Sequence, residues 1–293
     1  MEAKFRYSLD RSSRKFVCPK CGKKTFVRYK DNTTNGYFEN ESIGKCDRDI
    51  HCGYHLTPKQ AGIENLKIEY KPIEPLVPKI HELQIEIAPF LNAYQRSNFY
   101  KFLCSRFADI EQINRVCQLY YLGCTRNQSV IYWQIDKENR IRSGKIMQYN
   151  PQTGKRDKTV NPQWVHKKIG VPENFELKQC LFGLHQLRGR NVSKPICLVE
   201  SEKTAVLMSL YEPLFVWVAT GGKHNLNARI ISDIPCDTVA CYPDKDAFAD
   251  WSKKIREINK ETGKNLMLID WTERINPNRL PENADIADYY LMN

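Results

Sequence analysis

Apolar and polar positions follow three different rhythms along the chain, and each predicts a different architecture. Residues 1–60 have few long apolar runs and are rich in Cys, Gly, Lys and Tyr. A segment so poor in apolar material needs a staple. Residues 90–118 carry apolar side chains at three- and four-residue spacings. Tyr94, Phe99, Phe102, Leu103 and Phe107 form one run, and Ile110, Ile113, Val116, Cys117 and Tyr120 the next, which predicts helices. "SVIYWQID" and "IRSGKIMQY" are β-rich and joined through "KEN", predicting a hairpin, and "NPQTGKRDK" has the composition of a loop.

After Lys194-Pro195 short apolar runs alternate with helical periods. "ICLVE", "LFVWVATGG", "DTVACYP" and "NLMLIDW" read as strands. "SEKTAVLMSLY", "NARIISDI", "DAFADWSKKIREINKETG" and "NADIADYYLM" read as helices, the third closed by Gly263. Such alternation implies an α/β fold, a mostly parallel sheet flanked by helices. Between the first two rhythms, "EYKPIEPLVPKIHE" holds Pro72, Pro75 and Pro78, the composition of a semi-rigid linker.

The 293 residues carry 45 Lys and Arg against 34 Asp and Glu, a net charge of +11, which favours a polyanionic partner. No run approaches the ~18–20 apolar residues of a membrane span. The N-terminus "MEAKFRYSLDRSSRKF" is charged and has no apolar signal core. The expectation is a cytoplasmic protein with no membrane partner. There, eleven cysteines argue for reduced thiols and a metal, and an odd number cannot pair completely.

The metal reading falls on "CPKCG" and "CDRDIHCGYH". Zinc takes four soft or borderline ligands in a tetrahedron, and a tight Cys-x2-Cys turn supplies two. Cys18, Cys21, Cys46 and Cys52, with the strand-like "TFVRYK" and "GYFENESIGK" between them, describe a zinc ribbon. The second pair is wide, so His51 and His55 remain alternatives to Cys52. Buried free cysteines are the plainer reading. Lys20, Lys23, Lys24, Arg28 and Lys30, interleaved with Phe26, Tyr29 and Tyr37, suit single-stranded nucleic acid as well as a solvated surface.

In a parallel α/β sheet, active groups gather at the carboxyl ends of strands. Glu200 ends "ICLV", and Asp244 and Asp246 follow "TVACYP". Three converging carboxylates repel one another unless a divalent cation neutralises them. The alternatives are a simple turn at "PDKD", an N-cap role for Asp246, and, for Glu202, first-turn helix decoration.

"LVESEKTAVL" followed by "CYPDKDAFADWSKKI" resembles the Toprim domain of primases, topoisomerases and some nucleases, with Glu200 matching the family glutamate and Asp244 and Asp246 its Asp-x-Asp pair. "ATGG" stands where the family has a glycine-containing segment. "NADIADYYL" is similar to the helix that closes Toprim domains in primases, which makes Asp285 and Asp288 further acidic candidates. "SVIYWQIDKENRIRSGKIMQYNPQTGKR" and "NPQWVHKKIG" with "QCLFGLHQL" resemble the basic subdomain that precedes Toprim there. The order of parts is a zinc-ribbon domain (1–65), a Pro-rich linker (66–84), a mixed α+β basic primase-like subdomain (85–190) and a Toprim domain (191–293).

The resemblance implies a primase-like nucleotidyltransferase making primers on a single-stranded DNA template from nucleoside triphosphates. Structural zinc and catalytic magnesium or manganese are the expected metals, the latter on Glu200, Asp244, Asp246 and Asp288. Arg142, Lys145, Lys155 and Arg156 are the expected nucleic-acid and nucleotide contacts, with Arg142 and Lys145 on one face of a strand. Phosphates need such cations, although a charge run also suits a solvated face. The wide second cysteine pair and Lys245 between the aspartates depart from the family pattern. No helicase segment follows the closing helix, so the expectation is a short protein of a plasmid or other mobile element, with any helicase or replication protein separate. A Toprim nuclease and a non-catalytic single-stranded DNA-binding module are the alternatives.

Overall fold

The computed structural model describes residues 5–63, 78–91, 93–189, 194–272 and 280–292, divided between two compact units, Met1–Leu76 and Val77–Asn293. Most of the expected linker, residues 64–77, lies outside the described residues, as do 190–193 at the expected Toprim boundary.

In the first unit, strands β1 (Tyr7–Leu9), β2 (Phe26–Asp31), β3 (Gly36–Tyr37), β4 (Gly44–Cys46) and β5 (His55–Leu56) form an antiparallel sheet in the order β1-β2-β4-β5, with β3 also on β2. Its small core is Phe26 packed with Cys18, Cys46 and Cys52, flanked by Phe16 and Tyr54. With thiols supplying three of the four buried side chains of that cluster, the apolar contribution to its stability is small.

The second unit opens with α1 (Ala88–Leu91), α2 (Asn98–Arg106) and α3 (Ile110–Leu119). Ser97 and Asp109 start the two longer helices, their side chains accepting from the N–H groups of Tyr100 and Gln112. The antiparallel sheet β6 (Gly123–Cys124), β7 (Val130–Ile135), β8 (Ile141–Met147) and β9 (Gln163–Trp164) follows in sequence order, then α4 (Val165–Ile169). The predicted hairpin is β7–β8, turning through Asp136. The end of the expected linker is not a spacer: Ile80 bridges to Phe175, and buried Leu83 donates its N–H to Ile141 at 2.7 Å. Apolar residues there found a sheet to lie on, which proline content does not reveal.

The remaining elements are β10 (Ile196–Val199), α5 (Glu202–Tyr211), β11 (Val216–Ala219), α6 (Ala228–Ser232), β12 (Thr238–Tyr242), α7 (Phe248–Thr262), β13 (Asn265–Leu268) and α8 (Ile286–Met292). The four strands are all parallel, in the order β11-β10-β12-β13. Alternate residues face opposite ways. Cys197, Val199, Trp217 and Ala219 pack toward α5 and α8, whereas Ile196, Leu198, Val239 and Cys241 pack toward α6 and α7. Helix α5 is buried along nearly its whole length because it lies between the sheet and α3.

Residues 85–190 and 191–293, read as successive domains, share one core. Phe99, Leu103, Tyr120, Tyr132 and Phe182 cluster with Val199, Met208, Trp217 and Ala287. The Tyr120 hydroxyl lies 2.6 Å from the Trp217 carbonyl and 2.8 Å from Ser209 Oγ. Phe182 and Ala219 exchange backbone hydrogen bonds of 2.9 and 3.0 Å, so the outer edge of β11 is partly covered.

Candidate functional site

In the first unit, the sulfurs of Cys18, Cys21, Cys46 and Cys52 all lie within 4.8 Å of one another. Cys18 Sγ is 3.7 Å from Cys52 Sγ, and Cys21 Sγ is 4.0 Å from Cys46 Sγ. Zn–S bonds of ~2.3 Å in a tetrahedron place sulfurs about 3.8 Å apart. The four thiols therefore fit zinc. The Lys23 N–H lowers Cys21 to about 6, and the Thr25 hydroxyl lowers Cys46, while burial holds Cys52 up at about 11. Of the alternatives to Cys52, His55 is hydrogen-bonded to the Tyr29 hydroxyl at 2.9 Å and stacks on its ring. His51 is exposed outside the cluster.

The expected basic-aromatic surface of the ribbon is partly spent on its own fold. Phe26 is fully buried, and Arg28 is buried with its guanidinium on Glu41 and the Phe38 carbonyl. Lys30 pairs with Asp10, and Arg28 and Lys30 both lie over the Tyr37 ring. Lys20 donates to the Cys52 carbonyl, which leaves Lys23 and Lys24 exposed at the first knuckle.

In the second unit, the strand order creates the crevice. The chain leaves β10 for β11 on one side and returns to β12 on the other, so the connections diverge above β10 and β12. A crevice at such a reversal is where open α/β sheets bind ligands. Glu200 follows β10 directly, and Asp244 follows β12 after Pro243. The Asp244 N–H reaches Glu200 Oε1 at 3.4 Å. Glu200 is 5% exposed, and burial lifts it to about 7, the charge of Asp246 adding to the shift and the Asp244 N–H opposing it. Burial, then the charges of Glu200, Asp285, Asp246 and Asp288, lift Asp244 to about 9. Its Oδ1 is buried with no hydrogen-bond partner among the described residues.

Asp285 and Asp288 join from the start of α8. They cap that helix reciprocally: the Asp288 N–H donates to Asp285 Oδ1 at 2.9 Å, and the Asp285 N–H donates to Asp288 Oδ2 at 3.2 Å. Thr204 on α5 donates its hydroxyl to Asp285 Oδ2. Burial and Asp285 raise Asp288, and the charges of Lys203 and Lys155 oppose the rise. Asp246 stands apart. It is exposed, and Lys223 Nζ sits 2.9 Å from its Oδ2. It does not cap α7, whose N-cap Ala247 makes no side-chain bond. Among the described residues the four-cysteine group is the one whose ligand atoms already lie at coordination spacing.

The basic residues separate. Lys145 reaches the strand ends from β8, donating to Glu202 Oε2 at the start of α5 at 3.0 Å and to the Gly221 carbonyl after β11 at 2.8 Å. Glu202 is not surface decoration on its helix. It is 2% exposed, and its Oε1 has no partner among the described residues. Gly221 closes this corner, with φ +78 and space for a Cβ only 3.0 Å from that oxygen. Arg142 and Lys145 are held by different partners. The strand is irregular at Arg142, and this buried side chain bonds Asp136 at 2.7 Å and the His81 carbonyl at 2.9 Å. Lys155 and Arg156 are exposed in the loop after β8. Lys223, Lys203 and Glu202 were missed as site residues, although Lys223 follows a glycine pair at a strand end.

The profile of the family described as Domain of unknown function (DUF6371) matches residues 97–245, just over half the chain, and the chain belongs to that family. The profile of a zinc beta-ribbon finger matches residues 5–67. No curated protein matches the chain. Among solved structures the chain is similar to the DnaG catalytic core, at 15% identity over 70% of this chain and 76% of that one, with a TM-score of 0.47. It is similar to the primase fragment of the bacteriophage T7 primase-helicase protein, at 14% identity over 87% and 88%, with a TM-score of 0.38. The zinc-binding and RNA polymerase domains of Aquifex aeolicus primase align at 12% identity over 96% and 76%, with a TM-score of 0.42.

Proposed function

We propose that the chain is a DNA primase-like nucleotidyltransferase, with Toprim-type chemistry at the crevice between β10 and β12. The observation that carries this reading is the pair Glu200 and Asp244, side by side at adjacent strand ends, raised by burial and mutual charge, with Asp244 Oδ1 unpartnered. Buried carboxylates in that condition fit a divalent cation. Glu200, Asp244, Asp246 and Asp288 would hold magnesium or manganese. When bound, such an ion neutralises charge on the phosphates of a nucleoside triphosphate and orients the α-phosphorus for a 3′-hydroxyl.

The chain's own residues supply the rest. Glu202 and the Gly221 carbonyl hold the Lys145 ammonium at the strand ends, where it meets a phosphate oxygen as a point charge. Lys155 and Arg156 extend the cationic track along the loop after β8. Lys223 neutralises Asp246 until a cation takes its place. The ribbon's exposed lysines, Lys23 and Lys24, serve a single-stranded template.

Incubating the protein with single-stranded DNA, Mg²⁺ and nucleotides tests the reading. New strand made only with nucleotides present, and lost in the folded triple variant Glu200→Gln, Asp244→Asn, Asp246→Asn, is the expected result. Wild-type synthesis by that variant sinks it. Shortening of labelled DNA without nucleotides would instead mark a nuclease. The Lys223–Asp246 ion pair favours a second reading, a non-catalytic DNA-binding module. In that case DNA binds with no measurable divalent cation at the acids.

A further inference from the structure

The sheet β6-β7-β8-β9 has two faces, and the acidic crevice uses one. Tyr132 pairs with Lys145 across β7 and β8, and Ile131 with Ile146 one step away. Alternation therefore sends Lys145 toward Glu202 and sends Ile131 and Ile146 to the opposite side. On that opposite side lies a groove of about 480 Å³, inside the ~300–1,000 Å³ range of small-molecule sites. Its apolar wall is Phe90, Ile131, Trp133, Ile146 and Val165. Val160 and Ile169 stand at its edge 38% and 44% exposed, apolar surface in water that an occupant would cover.

The polar lining is selective. Asn127, Gln148 and Gln163 offer amides, and Thr125 and Ser129 offer hydroxyls. Gln148 Oε1 and the Trp133 indole N–H are both buried without a hydrogen-bond partner among the described residues. Arg126, from the turn between β6 and β7, and Lys168, from α4, are exposed lining residues. Among the described residues neither is held in an ion pair. Among the described residues no Asp or Glu lines the groove.

Each component matches part of one ligand class. Apolar walls take the faces of a flat heterocycle, and side-chain amides read its donor and acceptor edge. Free cations with no competing carboxylate take phosphate. A basic peptide would find no acid here, and a purely apolar ligand would strand the amides. We infer that this groove is a second nucleotide-binding site, taking a nucleobase and its phosphate on the face of the sheet opposite the acidic crevice. The nucleotide comes either free from solution or as one residue of a single strand.

The test uses the full chain carrying Glu200→Gln, Asp244→Asn and Asp246→Asn, titrated without divalent cation. Failure of the proposed enzymatic reading then leaves the result untouched. The probes are the four nucleoside 5′-monophosphates, adenosine, and a short single-stranded oligonucleotide, measured by calorimetry. Saturable binding is expected, weakened at least tenfold by Arg126→Glu with Lys168→Glu, both at exposed positions, and also weakened by Gln148→Leu. Bound ligand is expected to shield Lys168 from amine acylation read by mass spectrometry. Monophosphate binding identifies a free nucleotide, and oligonucleotide binding alone identifies a strand residue. Binding of neither overturns the inference, as does binding that ignores all three substitutions and leaves Lys168 unshielded.

Discussion

Asp244 is a carboxylate whose surroundings favour its proton. Its pKa stands near 9 because burial and then four neighbouring acids oppose the charge. An unfolded aspartate titrates near 4. The folded state thus holds a proton that the unfolded state releases between those values. The stability Asp244 contributes is complete below pH 4 and falls as pH rises toward 9. Glu200 acts in the same direction, its loss running from the ordinary glutamate range up to about pH 7. Thermal melts in EDTA are expected to decline from pH 5 to pH 9, and Asp244→Asn is expected to flatten that decline. Magnesium or manganese should raise the melting temperature of the wild type more at pH 8 than at pH 6, because binding displaces those protons. At Lys145 the expectation concerns a buried pair. Lys145→Ala leaves Glu202 charged and alone, a loss of about 3 kcal/mol in urea titrations. Adding Glu202→Gln should recover part of it, since the stranded charge goes too.

At the scale of elements, the loop after β8 is pinned by a close approach. Gly154 has φ +64, and a Cβ there would lie 2.4 Å from the Phe102 ring, which is buried under it. Gly154→Ala is expected to lower stability by about 2 kcal/mol, from backbone strain and overpacking together, and to loosen Lys155 and Arg156. Urea titration and proteolysis of that loop check it. The strands and helices of residues 195–292 were legible because their signals are local: an apolar run, a cap, a closing glycine. Glu200 and Asp244 were legible for the same reason, as acids placed where parallel strands end. The partners of Lys145, Arg142 and Asp246 were not. Glu202, Asp136 and Lys223 are joined to them by the fold, and at Arg142 a strand irregularity also breaks the alternation that sequence reading relies on. Residues 78–84 were misread because proline composition hid Ile80 and Leu83.

At the scale of the molecule, the two units have different sources of stability. The ribbon's core is mostly thiol, so removing zinc with a mercurial is expected to release one metal per chain. Amide protection should be lost over residues 5–63 and kept over 98–268, read by hydrogen exchange. The second unit cannot be divided where its sequence suggested. Residues 78–189 expressed alone should fail to unfold cooperatively, because Tyr120, Tyr132 and Phe182 lose the α5 and β11 side chains that cover them. The reversal of strand order above β10 and β12 also bears on how the protein assembles in time. Ile196 meets Val239 only after a whole strand and two helices have been laid down between them, and pairings so distant in sequence form slowly. Glu200 and Asp244 are strangers until that pairing closes. A cation held by both would stabilise contacts that the transition state for folding has yet to make, so it should slow unfolding and leave the refolding rate almost unchanged. The metal would act as a lock on the finished sheet and not as a guide to its construction.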